Sequence, residues 1–427
     1  MDLQPFEYRS KSVKSKSTLY CEKVSLLELA RRHGTPLYVY SASQILARFQ
    51  MFDQAFAGMP HTICYSVKAN SNLSILRMLA HAGAGFDIVS GGELERVRSA
   101  SGNATRKVVF SGVGKSVEEL DRALKSRILI FNVESEGELQ LLSDRAAKLG
   151  RRAQVALRVN PDVFAKTHPY MSTGLKEHKF GVDIRLALGL YRAASKLKCL
   201  DPIGISVHIG SQITDVEPFR AAVERVASLA RQLKRHGIPI RYIDAGGGLG
   251  ISYHRNRAFV PLNQVSQYAA ALRSALKGMD VHLLLEPGRF LVGNSGVLVT
   301  QVLYIKRNHA KTFVIVDAAM NDLLRPALVA AHHEILPVNQ IRTGDKFKKV
   351  DVVGPICDSG DFLARDRRLS EVHPGDLLAI LDVGAYGMSY ASNYNSRKRP
   401  AELLVQGNQA RVIRKREQLI DLIRLEL

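Results

Sequence analysis

The chain has 427 residues, 46% of them hydrophobic and 23% charged, which suits a large globular domain with a smaller one and excludes disordered or fibrous classes. Its formal net charge is +20, but the basic residues are spread along the chain in short clusters such as Arg397-Lys398-Arg399 and Arg414-Lys415-Arg416, so a generally basic surface is favoured over a specific nucleic-acid site. No apolar run approaches the roughly 18 residues that cross a bilayer, residues 1–23 are polar and basic, unlike a secretory signal, and Cys21, Cys64, Cys199 and Cys357 show no metal-ligand spacing; the expectation is a cytoplasmic protein with no membrane segment and no metal.

From residue 62 onward, apolar runs rich in β-branched and aromatic residues alternate with longer stretches whose apolar residues recur every three or four positions. These are the patterns of buried strands and amphipathic helices. Strands are read at 62–67, 85–89, 107–111, 127–132, 153–159, 203–209, 240–245 and 281–286, with helices between them such as 117–124, 136–149, 219–235 and 265–276. Eight alternations predict a (β/α)8 TIM-like barrel over residues 36–294, with its functional groups at the carboxyl ends of the strands. A doubly wound open sheet is the structural competitor. From residue 295 the rhythm changes to short runs at 297–302, 312–316, 349–353, 377–381 and 402–405, separated by Gly, Pro and Asp turns. They predict a C-terminal β-sandwich or β-barrel-like domain, residues 295–427, to which 1–35 would add.

The first barrel strand leads into Lys68 with no turn residue before it. An ammonium group at a buried strand end must snorkel to solvent, be paired, or be neutralised, and a lowered pKa is what a Schiff-base amine requires. The other strand ends are polar too: Asp87 with Ser90-Gly91-Gly92-Glu93, Arg158 with Asn160, His208-Ile209-Gly210-Ser211-Gln212, Asp244-Ala245-Gly246-Gly247-Gly248 and Glu286-Pro287-Gly288-Arg289. Singly, each has an ordinary reading as a structural histidine, a tight turn or a local ion pair. At one face of one barrel, a lysine, a glycine run open to a phosphate, a carboxylate and a flat imidazole describe a pocket for pyridoxal phosphate.

These segments, with Tyr65-Ser66-Val67-Lys68-Ala69-Asn70, resemble the alanine-racemase-type (fold type III) family of pyridoxal-phosphate decarboxylases, and within it the branch that acts on diaminopimelate. Further matches are Phe86-Asp87-Ile88-Val89, Asn160-Pro161-Asp162, the run at 167–175, Met320-Asn321-Asp322-Leu323-Leu324-Arg325-Pro326, Cys357-Asp358-Ser359-Gly360-Asp361 and Gly384-Ala385-Tyr386-Gly387. They follow the family's order in both domains. The resemblance implies decarboxylation of meso-2,6-diaminopimelate to L-lysine and CO2, the last step of lysine biosynthesis. It implies Lys68 as the Schiff-base lysine, with Asp87 at the cofactor, Glu286 against the pyridine nitrogen and His208 against the ring face. Gly246, Gly247, Gly248 and Ser211 would serve the phosphate, with Tyr386 near cofactor and substrate. Arg289 and Arg325 would hold the carboxylate far from the reacting carbon, and Asp358 the distal ammonium. Cys357 would be the acid that protonates the product carbon, supplied by the neighbouring subunit of a homodimer with shared active sites.

The chain departs from the family pattern twice. Asp358 stands where the family has a glutamate, and Val329 where it has a tyrosine on the distal carboxylate; His332 and His333 follow as candidate replacements. Ornithine, lysine or arginine are the alternative substrates, against which Arg289 and Arg325 would be left unpaired. An amino-acid racemase would leave the Cys357 segment without a reason. A non-catalytic pyridoxal-phosphate homeostasis protein would leave the β domain without one. The long stretch 165–179 is expected to close over the substrate.

Overall fold

The computed structural model describes residues 4–10, 17–163, 179–254, 260–309, 311–340 and 347–427. The run at 167–175 and the stretch expected to close over the substrate, Lys179 apart, lie outside the described residues. The chain divides into two compact units: Phe49–Ile251 with Val260–Phe290, and Met1–Arg48 with Ser252–Phe259 and Leu291–Leu427.

In the first unit eight parallel strands form a barrel: β1 (His61–Ser66), β2 (Gly85–Ile88), β3 (Val108–Phe110), β4 (Ile130–Val133), β5 (Ala153–Asn160), β6 (Leu200–Ser206), β7 (Tyr242–Asp244) and β8 (His282–Leu285). Each pairs with the next, and β8 pairs back onto β1 with Leu285 opposite Ile63, so the sheet closes and the open-sheet alternative is excluded. Cys64, Val109, Ile130, Ala156, Ile203 and Leu284 pack together from six different strands; the barrel is filled with side chains rather than open as a pore. Burial there pushes the Cys64 thiol well up, leaving it an inert core group.

Three helices start directly after β2, β3 and β4 through one repeated device. Ser90, Ser116 and Ser135 each accept a hydrogen bond from the backbone N–H of the glutamate three residues on, Glu93, Glu119 and Glu138. Each such cap is worth about 1 kcal/mol and sets where the strand-end loop stops. The helix Glu217–Arg235 buries Phe219, Val223, Val226, Ala230 and Leu233 along one face, the 3.6-residue stripe seen in the sequence. Strand boundaries lie within two residues of the sequence reading except in two strands. β4 begins at Ile130 because Arg127 is a left-handed helix cap (φ +53°), and β6 ends at Ser206, leaving His208 in the loop beyond it.

The second unit is mostly sheet. Its long strand Gly296–Asn308 pairs antiparallel with Leu377–Leu381 and Leu37–Ser41, then with Lys311–Val316. Leu37–Ser41 also runs parallel to Ala401–Gln406. That strand falls inside the range assigned to the barrel from sequence, and the structure moves it here. All five of its residues are buried, and an unbroken apolar run carries no alternation by which to tell which sheet it enters. Leu19, Cys21 and Leu26 from the amino-terminal segment join Val39, Val297, Val299, Leu381, Leu403 and Val405 in one core. Among the described residues no helix is long and apolar enough to cross a membrane, and no cluster of His, Cys, Asp and Glu is arranged to hold a metal ion.

Candidate active site

After β1 the chain makes a tight turn, Val67–Ala69, whose flanking side chains are buried. Lys68 projects from it, and its Nζ lies 2.5 Å from Oδ2 of Asp87. The pairing follows from register: Ser66 stands opposite Asp87 across β1 and β2. Ser66 Oγ lies 2.8 Å from the same Asp87 oxygen and 2.9 Å from the carbonyl of Glu286. Gly288 closes this corner, since a Cβ there would sit 3.0 Å from the Cβ atoms of both Ser66 and Ala69.

Glu286 follows β8 and Asp244 ends β7, and both are buried. Burial raises the Glu286 carboxyl well above the usual carboxylate range, the negative charges of Asp244 and Asp87 raise it further, and Lys68 opposes them. Asp244 is also raised by burial, while the Asn132 amide, 2.6 Å from Oδ2, and the Gly246 N–H, 2.9 Å from Oδ1, oppose that rise. Ser111 Oγ lies 3.3 Å from Glu286 Oε1. Asp87 keeps a buried Oδ1 with no hydrogen-bond partner among the described residues. Three buried carboxyls around one lysine leave the mouth short of positive charge. A protonated pyridine nitrogen at Glu286 fits that deficit.

His208 is held neutral. Gly247 N–H donates to its Nδ1 at 3.2 Å, and burial, with Arg158 and Lys68 nearby, lowers its pKa well below the ordinary value. A neutral ring suits stacking on a flat cofactor. The glycine run is sterically required: at Gly247 a Cβ would meet the Glu286 carbonyl at 2.1 Å, and at Gly248 (φ +108°) the Gly210 carbonyl at 2.2 Å. The amides are less free than the sequence suggested. Those of Gly246 and Gly247 donate to Asp244 and His208, which leaves the Gly248 N–H as the one of the three with no acceptor among the described residues. Arg289, buried, donates to Ser211 Oγ at 3.2 Å.

Asn132 and Ser111 were missed in the sequence, although both lie at or just past strand ends, where the same rule that found Asp87 and Glu286 applies, and Asp244 was noted there without a role. Arg158 was noted only by position. It donates to Glu134 at 3.1 Å and keeps buried Nε and Nη2 groups without a partner among the described residues.

In the second unit, Arg325 opens the short helix Arg325–Val329 and is 5% exposed. Its Nη1 lies 2.9 Å from Nε2 of the fully buried His333, and its guanidinium carbon lies 4.9 Å from the centre of the Tyr253 ring. His332 is engaged elsewhere, 2.9 Å from Glu334 and 3.0 Å from Arg367. Of the two histidines after Val329, then, His333 reaches the arginine. Cys357 and Asp358 are exposed. Their loop is fixed by Asp361, which accepts from the N–H groups of Ile356 and Met320 at 2.7 Å each. Tyr386 has a left-handed backbone (φ +58°), which is uncommon for a tyrosine and a mark of a position set by its surroundings.

Residues 42–293 match the family described as pyridoxal-dependent decarboxylase, pyridoxal binding domain. A diaminopimelate decarboxylase of Pseudomonas aeruginosa is 50% identical over 421 residues, 98% of each chain. The crystal structure of the Helicobacter pylori diaminopimelate decarboxylase complexed with L-lysine has a TM-score of 0.88 and 47% identity, covering 94% of this chain and 98% of that one. The enzyme from M. jannaschii, in co-complex with L-lysine, has a TM-score of 0.91 at 38% identity, covering 100% and 98%. With a lysine, a carboxyl cluster short of positive charge and a glycine run in which no side chain fits, the chain belongs to the diaminopimelate decarboxylases, within the pyridoxal-phosphate-dependent decarboxylase family.

Proposed function

We propose that the chain converts meso-2,6-diaminopimelate to L-lysine and CO2, the last step of lysine biosynthesis, acting as a cytoplasmic homodimer whose β-rich domains contribute to shared sites. The observation that carries this reading is the buried carboxyl cluster of Asp87, Asp244 and Glu286 around Lys68 Nζ. Pyridoxal phosphate, when bound, supplies the electron sink that makes loss of CO2 feasible.

Lys68 would be the amine that holds the cofactor, and Asp87 Oδ2 orients Lys68 Nζ. Glu286 holds a proton at the ring nitrogen, supported by Asp244 and, behind it, Asn132. Neutral His208 would hold the cofactor by its ring face. Gly248 and Ser211 lead the phosphate contacts, with Gly246 and Gly247 shaping the turn. Arg289 and Arg325 hold the distal carboxylate, where a guanidinium fork binds both oxygens. Asp358 meets the distal ammonium, Tyr386 lies near both ligands, and Cys357 of the neighbouring subunit delivers a proton from Sγ to the carbon that lost CO2.

The test is CO2 release from meso-diaminopimelate, ornithine, lysine and arginine side by side. Diaminopimelate should be turned over with the highest kcat/KM. Turnover of ornithine without diaminopimelate would sink the reading.

A further inference from the structure

Beside Glu286 lies a second buried carboxyl, Asp244, and the hydrogen bonds around the two are unequal. Asp244 ends β7 directly opposite Ser206, the last residue of β6, and Ser206 Oγ lies 3.3 Å from its Oδ2. The same oxygen meets Asn132 Nδ2, from β4, at 2.6 Å, and Oδ1 takes the Gly246 N–H at 2.9 Å. The Glu286 carboxyl has one donor among the described residues, Ser111 Oγ at 3.3 Å from Oε1. Asn132 Nδ2 also lies 3.1 Å from Ser111 Oγ. Its two amide hydrogens thus serve Ser111 and Asp244, and the Ser111 hydroxyl is left to donate to Glu286. Three donors favour the ionised form of Asp244, against one for Glu286. Burial raises both pKa values, and the hydrogen bond between the two carboxyls lowers that of Asp244 and raises that of Glu286. Of the charges nearby, Asp87 opposes ionisation of both, and Lys68 favours that of Glu286.

We propose that Asp244 and Glu286 hold one proton between them, that Asn132 assigns it to Glu286 by keeping Asp244 ionised, and that Glu286 passes it to the ring nitrogen of pyridoxal phosphate. This rests on the proposed role of Glu286. The transfer balances: the O–H bond of Glu286 breaks, the lone pair of the nitrogen takes the proton, and two carboxylates then stand against one cation. Because the three donors to Asp244 are in place beforehand, its charge adds to that of Glu286 in holding the proton on the nitrogen. Asn132 is a positioning residue that acts through Asp244, and the pair titrates as a unit.

The test reads protonation of the bound ring directly, from the NMR chemical shift of the isotope-labelled ring nitrogen of pyridoxal phosphate in the holoenzyme as pH is raised. Wild type should give a ring-nitrogen midpoint above that of the free cofactor. Asn132→Leu keeps the side-chain shape and removes the donor. Its midpoint should fall by about one to two pH units, the size of a lost hydrogen bond to a charged group, with kcat lower by about ten- to hundredfold and KM within about threefold. Asp244→Asn should lower the midpoint at least as far, and the double variant should match Asp244→Asn alone, since Asn132 acts through that carboxyl. Ser206→Ala removes the longer donor and should move the midpoint the same way by less; it carries the test if Asn132→Leu does not fold. A merely structural role for Asn132 would lower the thermal midpoint and leave the ring nitrogen unmoved. An unchanged ring-nitrogen midpoint in Asn132→Leu, or in Ser206→Ala where that is the variant read, overturns the inference and leaves the role of Glu286 standing. So do Asn132 and Asp244 effects that add in the double variant. A wild-type ring nitrogen no more basic than that of the free cofactor overturns both.

Discussion

At the barrel mouth, ionisable groups meet because adjacent strands end in register: Ser66 faces Asp87, and Glu286 follows a strand paired to the one that leads to Lys68. In the β-rich unit, the Arg325 guanidinium is held by residues from separate segments, Tyr253 and His333, and Cys357 and Asp358 lie on an exposed loop. The first arrangement is set by backbone, down to glycines whose Cβ would strike a carbonyl. The second is set by side-chain packing, which substitution can retune. Under the proposed function, cofactor chemistry would belong with the backbone-set region and substrate choice with the side-chain-set one.

The sharpest way to break that division is Lys68→Ala in the barrel, expected to lower kcat at least about a thousandfold and to abolish the cofactor's Schiff-base absorbance. Retained absorbance would move the attachment point elsewhere. Cys357→Ala, in the β-rich unit, should lower kcat by about 10²- to 10⁴-fold while leaving that absorbance intact. Mixing the two inactive proteins should restore part of the activity if sites are shared between subunits; no recovery despite proven subunit exchange would count against it. Glu286→Gln tests the carboxyl cluster, with an expected loss of about 10²- to 10³-fold in kcat, and a variant at wild-type rate would remove Glu286 from the ring nitrogen.

The smallest effect concerns stability, on the β side. Burial raises the Asp322 carboxyl to about 7, against the Ala319 N–H and the Arg397 charge, which favour ionisation. The folded protein keeps this proton up to about pH 7, whereas the unfolded chain loses it near about pH 4. Between those values the native state binds more protons, so the Asp322 contribution to stability falls as pH rises. The gain of Asp322→Asn over wild type in urea unfolding should be larger at pH 8 than at pH 5 by about 1 to 3 kcal/mol. An equal gain at both pH values would refute the assignment.

Lys68, Asp87, His208, Glu286 and the glycine run were legible because strand ends of a closed parallel barrel converge on one face, so local motifs already imply proximity. Leu37–Ser41 was not, since a strand buried on both faces looks the same in either sheet. Nor were the partners of Arg325, because Tyr253 lies 72 residues before it in the numbering and His332 and His333 are equivalent as letters.

Periodicity and motif order by themselves determined the barrel, the β-rich remainder, the place of Lys68 at a strand end and the cofactor class, since these depend on local patterns repeated along the chain. Only the tertiary structure decided which histidine holds Arg325, which glycine amides are already used by Asp244 and His208, and where the strand at 37–41 belongs. Those are questions of direction and distance: a side chain two residues from another in sequence points wherever the sheet behind it allows, and a hydrogen bond made there is no longer available to a ligand.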